Sequence, residues 1–374
     1  MIASLIADLV ARDSTNPDIA EGGVGESAVA ALISERLRNA GLEVDQYDVA
    51  PGRPNVVATL RGTGGGRTLM LCGHMDVVAA QPEQFLPEVR DGRLYGRGSH
   101  DMKAGLAAAM VAVERIAASG DRLAGDVVIA AVCDEEWRSI GAEELVRRHS
   151  ADAAILPEPS NLDVVTAHGG FSWHEITSYG VQAAGVEQDR GRDAISMLGP
   201  ILTAIRDLDR DLERRPAASY GRGSIHASTI VGGEQLPVYP ARCVVGVERC
   251  LIPGETWRGA EAELEAMIQA TMANDPDARF DLATIVGRDP IELGADEPVV
   301  NIIVSAATAA MGIAPVVRGE IGWQDSGILV DAGIPCVVFG PTGAGEHTDC
   351  EWVDLESAEV VANVLETTAR KFCA

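Results

Sequence analysis

Along the chain, apolar runs short enough for buried strands alternate with longer stretches whose apolar residues recur at helical spacing. Near the start, Ile2, Leu5, Ile6, Leu9 and Val10 share one helical face with Asp8 among them, which predicts an amphipathic helix over residues 1–12. Residues 28–39 predict a helix ending at Gly41, and residues 42–49 a strand. The unbroken apolar runs 68–72, 127–133 and 153–156 predict buried strands. An alanine-rich helix over 105–118 stops at Gly120, and another helix covers 140–149. This alternation predicts an α/β domain: a mainly parallel sheet with helices on both faces, binding ligands at the sheet edge.

The pattern changes near Gly169. Strands are predicted over 171–179, 225–231, 241–250 and 278–286, with helices over 193–213 and 257–274. This four-stranded, two-helix stretch reads as a smaller inserted α+β domain. The first pattern then resumes with a helix over 298–310, a strand over 336–340 and a terminal helix from 355. The main domain is thus predicted to be discontinuous, residues 1–170 and 288–374, interrupted by an insert over 171–287. A length of 374 residues also exceeds what one core usually holds.

Composition narrows the function classes. A net charge of −26 argues against nucleic acid or an anionic membrane as partner, since both need basic surface. No apolar stretch approaches the roughly twenty residues that span a bilayer, and residues 1–12 lack the basic start of an export signal. The seven cysteines are odd in number and have no Cys-x-x-Cys spacing, which points to reduced thiols and a cytoplasmic location. The glycine-rich turn at 62–66 has no phosphate-loop spacing.

The chemistry lies in five short segments: Gly73-His74-Met75-Asp76, Gly98-Ser99-His100-Asp101-Met102-Lys103, Asp134-Glu135-Glu136, Pro157-Glu158-Pro159-Ser160 and Gly345-Glu346-His347-Thr348. Several follow predicted strands, so residues far apart in sequence can converge at one sheet edge. Two histidines with several carboxylates suit zinc, cobalt or manganese. There are more carboxylates than one tetrahedral zinc uses, which points to two metals sharing a bridging carboxylate. A lone Asp-Glu-Glu is usually solvated surface, and His100 reads as structural. Only the five segments together make the case.

At these segments, and from Ser14-Thr15-Asn16-Pro17 onwards, the chain resembles the acetylornithine deacetylase, succinyl-diaminopimelate desuccinylase and carboxypeptidase-G family of two-metal amide hydrolases. The resemblance implies two divalent ions, zinc first, with cobalt or manganese as alternatives. It implies His74 and Glu158 on one metal, Glu136 and His347 on the other, and Asp101 bridging both. Glu135 would be the general base toward water held between the metals, and Asp76 would orient His74 from behind. It further implies a cis peptide bond after Asp101, and an insert that serves as lid and homodimer interface. Arg249 matches the family's carboxylate-binding arginine.

Part of the substrate shell departs from the family pattern. Where the family reads Gly-x-x-Ala-His-Gly-Ser-x-Pro, this chain has Ala184 in place of the histidine and Gln188 in place of the proline. Pro237 replaces an asparagine that often contacts substrate, and His226 is the nearest candidate substitute for the missing donor. The expected reaction is hydrolysis of the amide bond of an N-acyl amino acid or small peptide-like molecule bearing a carboxylate. Two alternatives remain: another reaction on the same scaffold, such as deamination or a specialised C–N hydrolysis, and metal binding without turnover. The presence of Glu135 argues against the last.

Overall fold

The strand Val127–Val132 shows how one sheet is buried on both sides. Val127, Ile129 and Ala131 face one apolar core, while Val128, Ala130 and Val132 face a second. Leu69 and Leu71 alternate in the same way with Met70 and Cys72 on the neighbouring strand Leu69–His74. A strand covered on both faces must be apolar at every position, hence the unbroken runs in the sequence.

The computed structural model describes residues 2–374. Met1, part of the first predicted helix, lies outside the described residues, and the helix Ile2–Val10 buries all five of its apolar positions. The chain divides into two compact units. The first comprises the chain up to Thr166 together with Leu293–Arg318 and Gln324–Ala374, and the second comprises Ala167–Glu292 and Gly319–Trp323.

The larger sheet runs in the order Glu43–Ala50, Arg53–Leu60, Val127–Val132, Leu69–His74, Ala153–Leu156, Cys336–Val338, Val164–His168, all in the first unit except the last two residues of the final strand. The central four are parallel. The first two pair antiparallel with each other, and Arg53–Leu60 pairs antiparallel with Val127–Val132. The sheet is therefore mixed rather than mainly parallel. For the first pair the cause is local: Pro51-Gly52, with Gly52 at φ +73°, closes a tight turn in which Ala50 faces Arg53. Two residues can join only antiparallel strands. Helices Ser27–Asn39, Ala104–Ser119, Pro298–Met311 and Leu355–Phe372 contribute to the larger core. The helix Ala104–Ser119 is buried throughout residues 104–113, which its alanines permit by letting neighbours approach closely.

The second unit contains a four-stranded antiparallel sheet, ordered Ser224–Gly232, Arg242–Leu251, Gly170–Tyr179, Phe280–Arg288. Helices Ala194–Leu212 and Trp257–Asn274 supply the rest of its own apolar core. Asp193 caps the first of them by accepting the N–H groups of Ile195 and Ser196. Strand Ser224–Gly232 lies at the edge of the sheet and leaves Ile230 and Val231 exposed.

Candidate metal centre

Three donor segments leave the same sheet edge because their strands are parallel neighbours. His74 ends Leu69–His74, Asp134-Glu135-Glu136 follows Val127–Val132, and Glu158 lies just beyond Ala153–Leu156. Asp101 comes from the turn that precedes helix Ala104–Ser119, and the Asp101–Met102 peptide bond is cis. His347, at φ +60°, lies between the short strands Gly343–Ala344 and Trp352–Asp354.

Asp101 joins two donor groups. His74 Nε2 lies 3.0 Å from Asp101 Oδ1 and 3.4 Å from Glu158 Oε1. His347 Nε2 lies 3.3 Å from Asp101 Oδ2 and 3.0 Å from Glu136 Oε2. The donor atoms of His74, Asp101 and Glu158 lie within 4.8 Å of one another, as do those of Asp101, Glu136 and His347. Each group joins one imidazole to two carboxylates and leaves room for further ligands, a donor set that fits a catalytic divalent ion. The residues present thus fit two such ions with Asp101 between them.

Behind His74 the nearer acceptor is the main chain. Nδ1 lies 3.0 Å from the Asp76 carbonyl oxygen and 3.6 Å from its carboxylate. The Asp76 carboxylate instead accepts N–H groups from Glu135 at 3.1 Å and Glu136 at 3.2 Å, and the Asn16 side-chain amide at 2.8 Å. Asn16 also donates to Asp134 at 3.0 Å, and Arg53 ties Asp134 to Glu26 at 3.0 and 2.7 Å. Asn16, Arg53, Glu26 and Asp134 therefore hold the acidic turn from beneath, a role that sequence reading missed. The only signal was that Asn16 and Asp134 lie within segments already singled out.

The electrostatics follow from crowding acids in a dry place. Burial pushes Glu135 and Glu158 well above the usual carboxylate range, and the charges of Asp325, Glu136 and other neighbours add to it. Burial also raises Glu136, with the Asp101 charge beside it. For Asp101 burial acts upward too, but bonds from His347 and His74 outweigh it and hold the group low. Bonds to Asp101 and Glu136 raise His347 to about 10. Buried His74 is also held high, by Glu158 and Asp101. Asp325, buried ahead of helix Ser326–Asp331, is a further acid that sequence reading did not single out.

The two substrate-binding candidates belong to the other unit. His226 is exposed and lies 3.6 Å from Glu248. Arg249 is buried, and its guanidinium is already engaged: it donates to the Cys250 carbonyl and to both Glu255 oxygens, with Glu263 at 3.7 Å. Arg249 is therefore not open to a substrate carboxylate. Ala184 is exposed and bridges to Val238.

Histidines and acids massed at the C-terminal ends of parallel strands suit metal-assisted hydrolysis. Residues 70–371 match the model of peptidase family M20/M25/M40, and the chain belongs to that family. It is 27% identical over 362 residues to N-formyl-4-amino-5-aminomethyl-2-methylpyrimidine deformylase of Bacillus subtilis, covering 88% of this chain and 85% of that one. It is 28% identical over 393 residues to acetylornithine deacetylase of Myxococcus xanthus, covering 100% and 97%. Its fold superposes with a TM-score of 0.72, at 15% identity and covering 100% and 97%, on a Bacillus subtilis protein described as a dinuclear metal-binding peptidase of the M20 family.

Proposed function

We propose that the protein hydrolyses the amide bond of a small N-acyl compound, using two divalent ions held by His74, Asp101, Glu136, Glu158 and His347. The observation that carries this reading is the pair of donor groups sharing Asp101. Zinc suits the donors best, with cobalt or manganese as alternatives. When bound, such ions supply Lewis acidity and make water a nucleophile near neutral pH. Glu135 takes the proton of the attacking water and passes it to the nitrogen as the C–N bond breaks. A carboxyl group raised by burial suits both halves of that transfer. Asp76 holds the turn on which Glu135 sits.

A second reading concerns the substrate rather than the reaction. The Arg249–Glu255 pair favours an acyl amine without a carboxylate at that place, because a carboxylate would have to displace Glu255. The deformylase relative, named for an aminopyrimidine substrate, agrees with it. The insert serves as lid and as the face where a second copy pairs, with the exposed edge strand Ser224–Gly232 in need of cover. The free state of all seven cysteines accords with a cytoplasmic location.

The test is a panel of N-formyl, N-acetyl and N-succinyl amines, each with and without a carboxylate on the amine side, offered to protein loaded with zinc, cobalt or manganese. Turnover that vanishes with chelator and returns with metal is expected. Release of ammonia with the acyl bond intact would replace amide hydrolysis by deamination. Full activity without metal would refute the reading. Sedimentation of a monomer at micromolar concentration would remove the pairing role.

A further inference from the structure

Glu351 is a buried acid outside both donor groups, and its two oxygens are fully occupied. Oε1 accepts the N–H of His100 at 2.9 Å and that of Asp101 at 3.0 Å. Oε2 accepts the N–H of Gly98 at 2.9 Å and Arg97 Nη1 at 2.7 Å. Only 2% of Glu351 and 3% of Arg97 is exposed. With four donors in place the carboxylate has no free lone pair for a metal or a substrate. Hydrogen bonds to a charged acceptor are roughly twice as strong as neutral ones, so the group is a strong anchor for the turn that carries Asp101.

The same anchor belongs to the segment that carries His347, four residues earlier. Further bonds join the two segments. The Gly96 N–H donates to the Glu351 carbonyl at 3.1 Å, and Arg97 Nη2 donates to the Thr348 carbonyl at 2.9 Å. His100 contacts Glu346 at 2.7 Å through Nδ1 and the Pro341 carbonyl at 3.2 Å through Nε2. Residues 96–101 and 341–351 thus form one stitched block holding Asp101 and His347. His74, Glu136 and Glu158 come from strand ends, and one stitch near them is the Asn161 N–H, which donates to the Pro341 carbonyl at 3.3 Å.

We infer that Glu351 is a positioning residue that selectively sets the second ion site, the one formed by Asp101, Glu136 and His347. Two of the three donors there are placed by the stitched block, against one of three at the site of His74, Asp101 and Glu158. Loosening the block therefore weakens the second site more than the first. This inference rests on the two-metal reading above.

The experiment titrates metal-free wild type and Glu351→Gln with zinc or cobalt against a chromogenic chelator, and records the melting temperature of each metal-free protein. Glutamine keeps the shape but turns an NH2 toward donors, so it cannot accept all four bonds. Expected is a second equivalent weakened by about ten- to a hundredfold, as for other groups that orient metal ligands, and a first equivalent changed by less than about threefold. Equal affinity for both equivalents in the two proteins would overturn the inference. So would equal weakening of both equivalents with a lowered melting temperature, which marks general loosening. If Glu351→Gln does not fold, Glu346→Ala decides, since it cuts another stitch at a partly exposed residue. An unchanged second equivalent there would overturn the inference, and a selectively weakened one would support it. Wild type that binds a single ion would instead remove the two-metal reading itself.

Discussion

The backbone N–H of Glu135 donates to Asp76 Oδ1 at 3.1 Å. One buried carboxylate thus stands behind His74 in the chain and also holds the turn that bears the proposed base. Asp76→Ala is expected to lower zinc affinity by about ten- to a hundredfold. It should also lower kcat at saturating zinc, because the Glu135 turn loses an acceptor. Wild-type kcat in the zinc-saturated variant would show that the turn stands without Asp76.

Glu135→Gln keeps volume and backbone bonds but cannot take a proton from water at neutral pH. Turnover should fall by roughly three orders of magnitude or more while metal content stays near that of wild type. The check pairs kcat with elemental analysis of the same sample. A variant keeping more than a tenth of the activity would take the base role from Glu135.

Metal binding should expel protons. Without metal, His347 is raised to about 10 and His74 is held high, so both imidazoles carry a proton at pH 7 that a coordinating cation must displace. Calorimetry of zinc binding in buffers of different ionisation enthalpy should show net proton release, and affinity should drop as pH falls. Binding with no proton release at pH 7 would contradict the assignment of these two ligands.

His168 supplies a pH dependence away from the metal centre. Burial pushes its imidazole down to about 4, against about 6.5 in an unfolded chain. Between these values the unfolded state binds the proton and the folded state does not, so stability rises with pH through the window and is lost on acidification. From pH 6.5 to 5 the loss is about 1.5 kcal/mol from this group. Denaturant unfolding of metal-free His168→Asn should show a correspondingly flatter pH slope than wild type. Identical slopes would place the proton elsewhere.

The elements readable in the sequence were those whose pattern has a single physical meaning. Residues 127–133 read as a strand because only a sheet covered on both faces tolerates such a run, and Gly120, at φ +77°, closes its helix as predicted. The mixed sheet was not readable, because strand direction depends on the connections, such as the two-residue turn at Pro51-Gly52, and on which strands pair across the sheet rather than on the strands themselves. Strand Val164–His168 and the small sheet of Glu88–Arg90, Arg93–Tyr95, Gly343–Ala344 and Trp352–Asp354 went unpredicted, being too short or too polar to carry a period. At the site, donors were visible because histidine and acid at a strand end are unusual. Glu351 was not, since one more acid in a stretch with Glu346 and Asp349 looks like surface until its four partners are seen.

The strand Cys336–Val338 pairs with Ala153–Leu156 across some 180 residues of intervening chain. On the ribosome, therefore, the middle of the larger sheet stays open until residues 336–338 have emerged. The nascent chain meanwhile carries His74, Asp101, Glu136 and Glu158 without the strand that flanks the last of them. Pairings so distant in sequence form slowly and leave apolar edges exposed for longer. His347 is synthesised later still. A chain halted anywhere before it can gather some of the acids but lacks one imidazole of the second donor group, so on the two-metal reading that group closes only after residue 347 has been made.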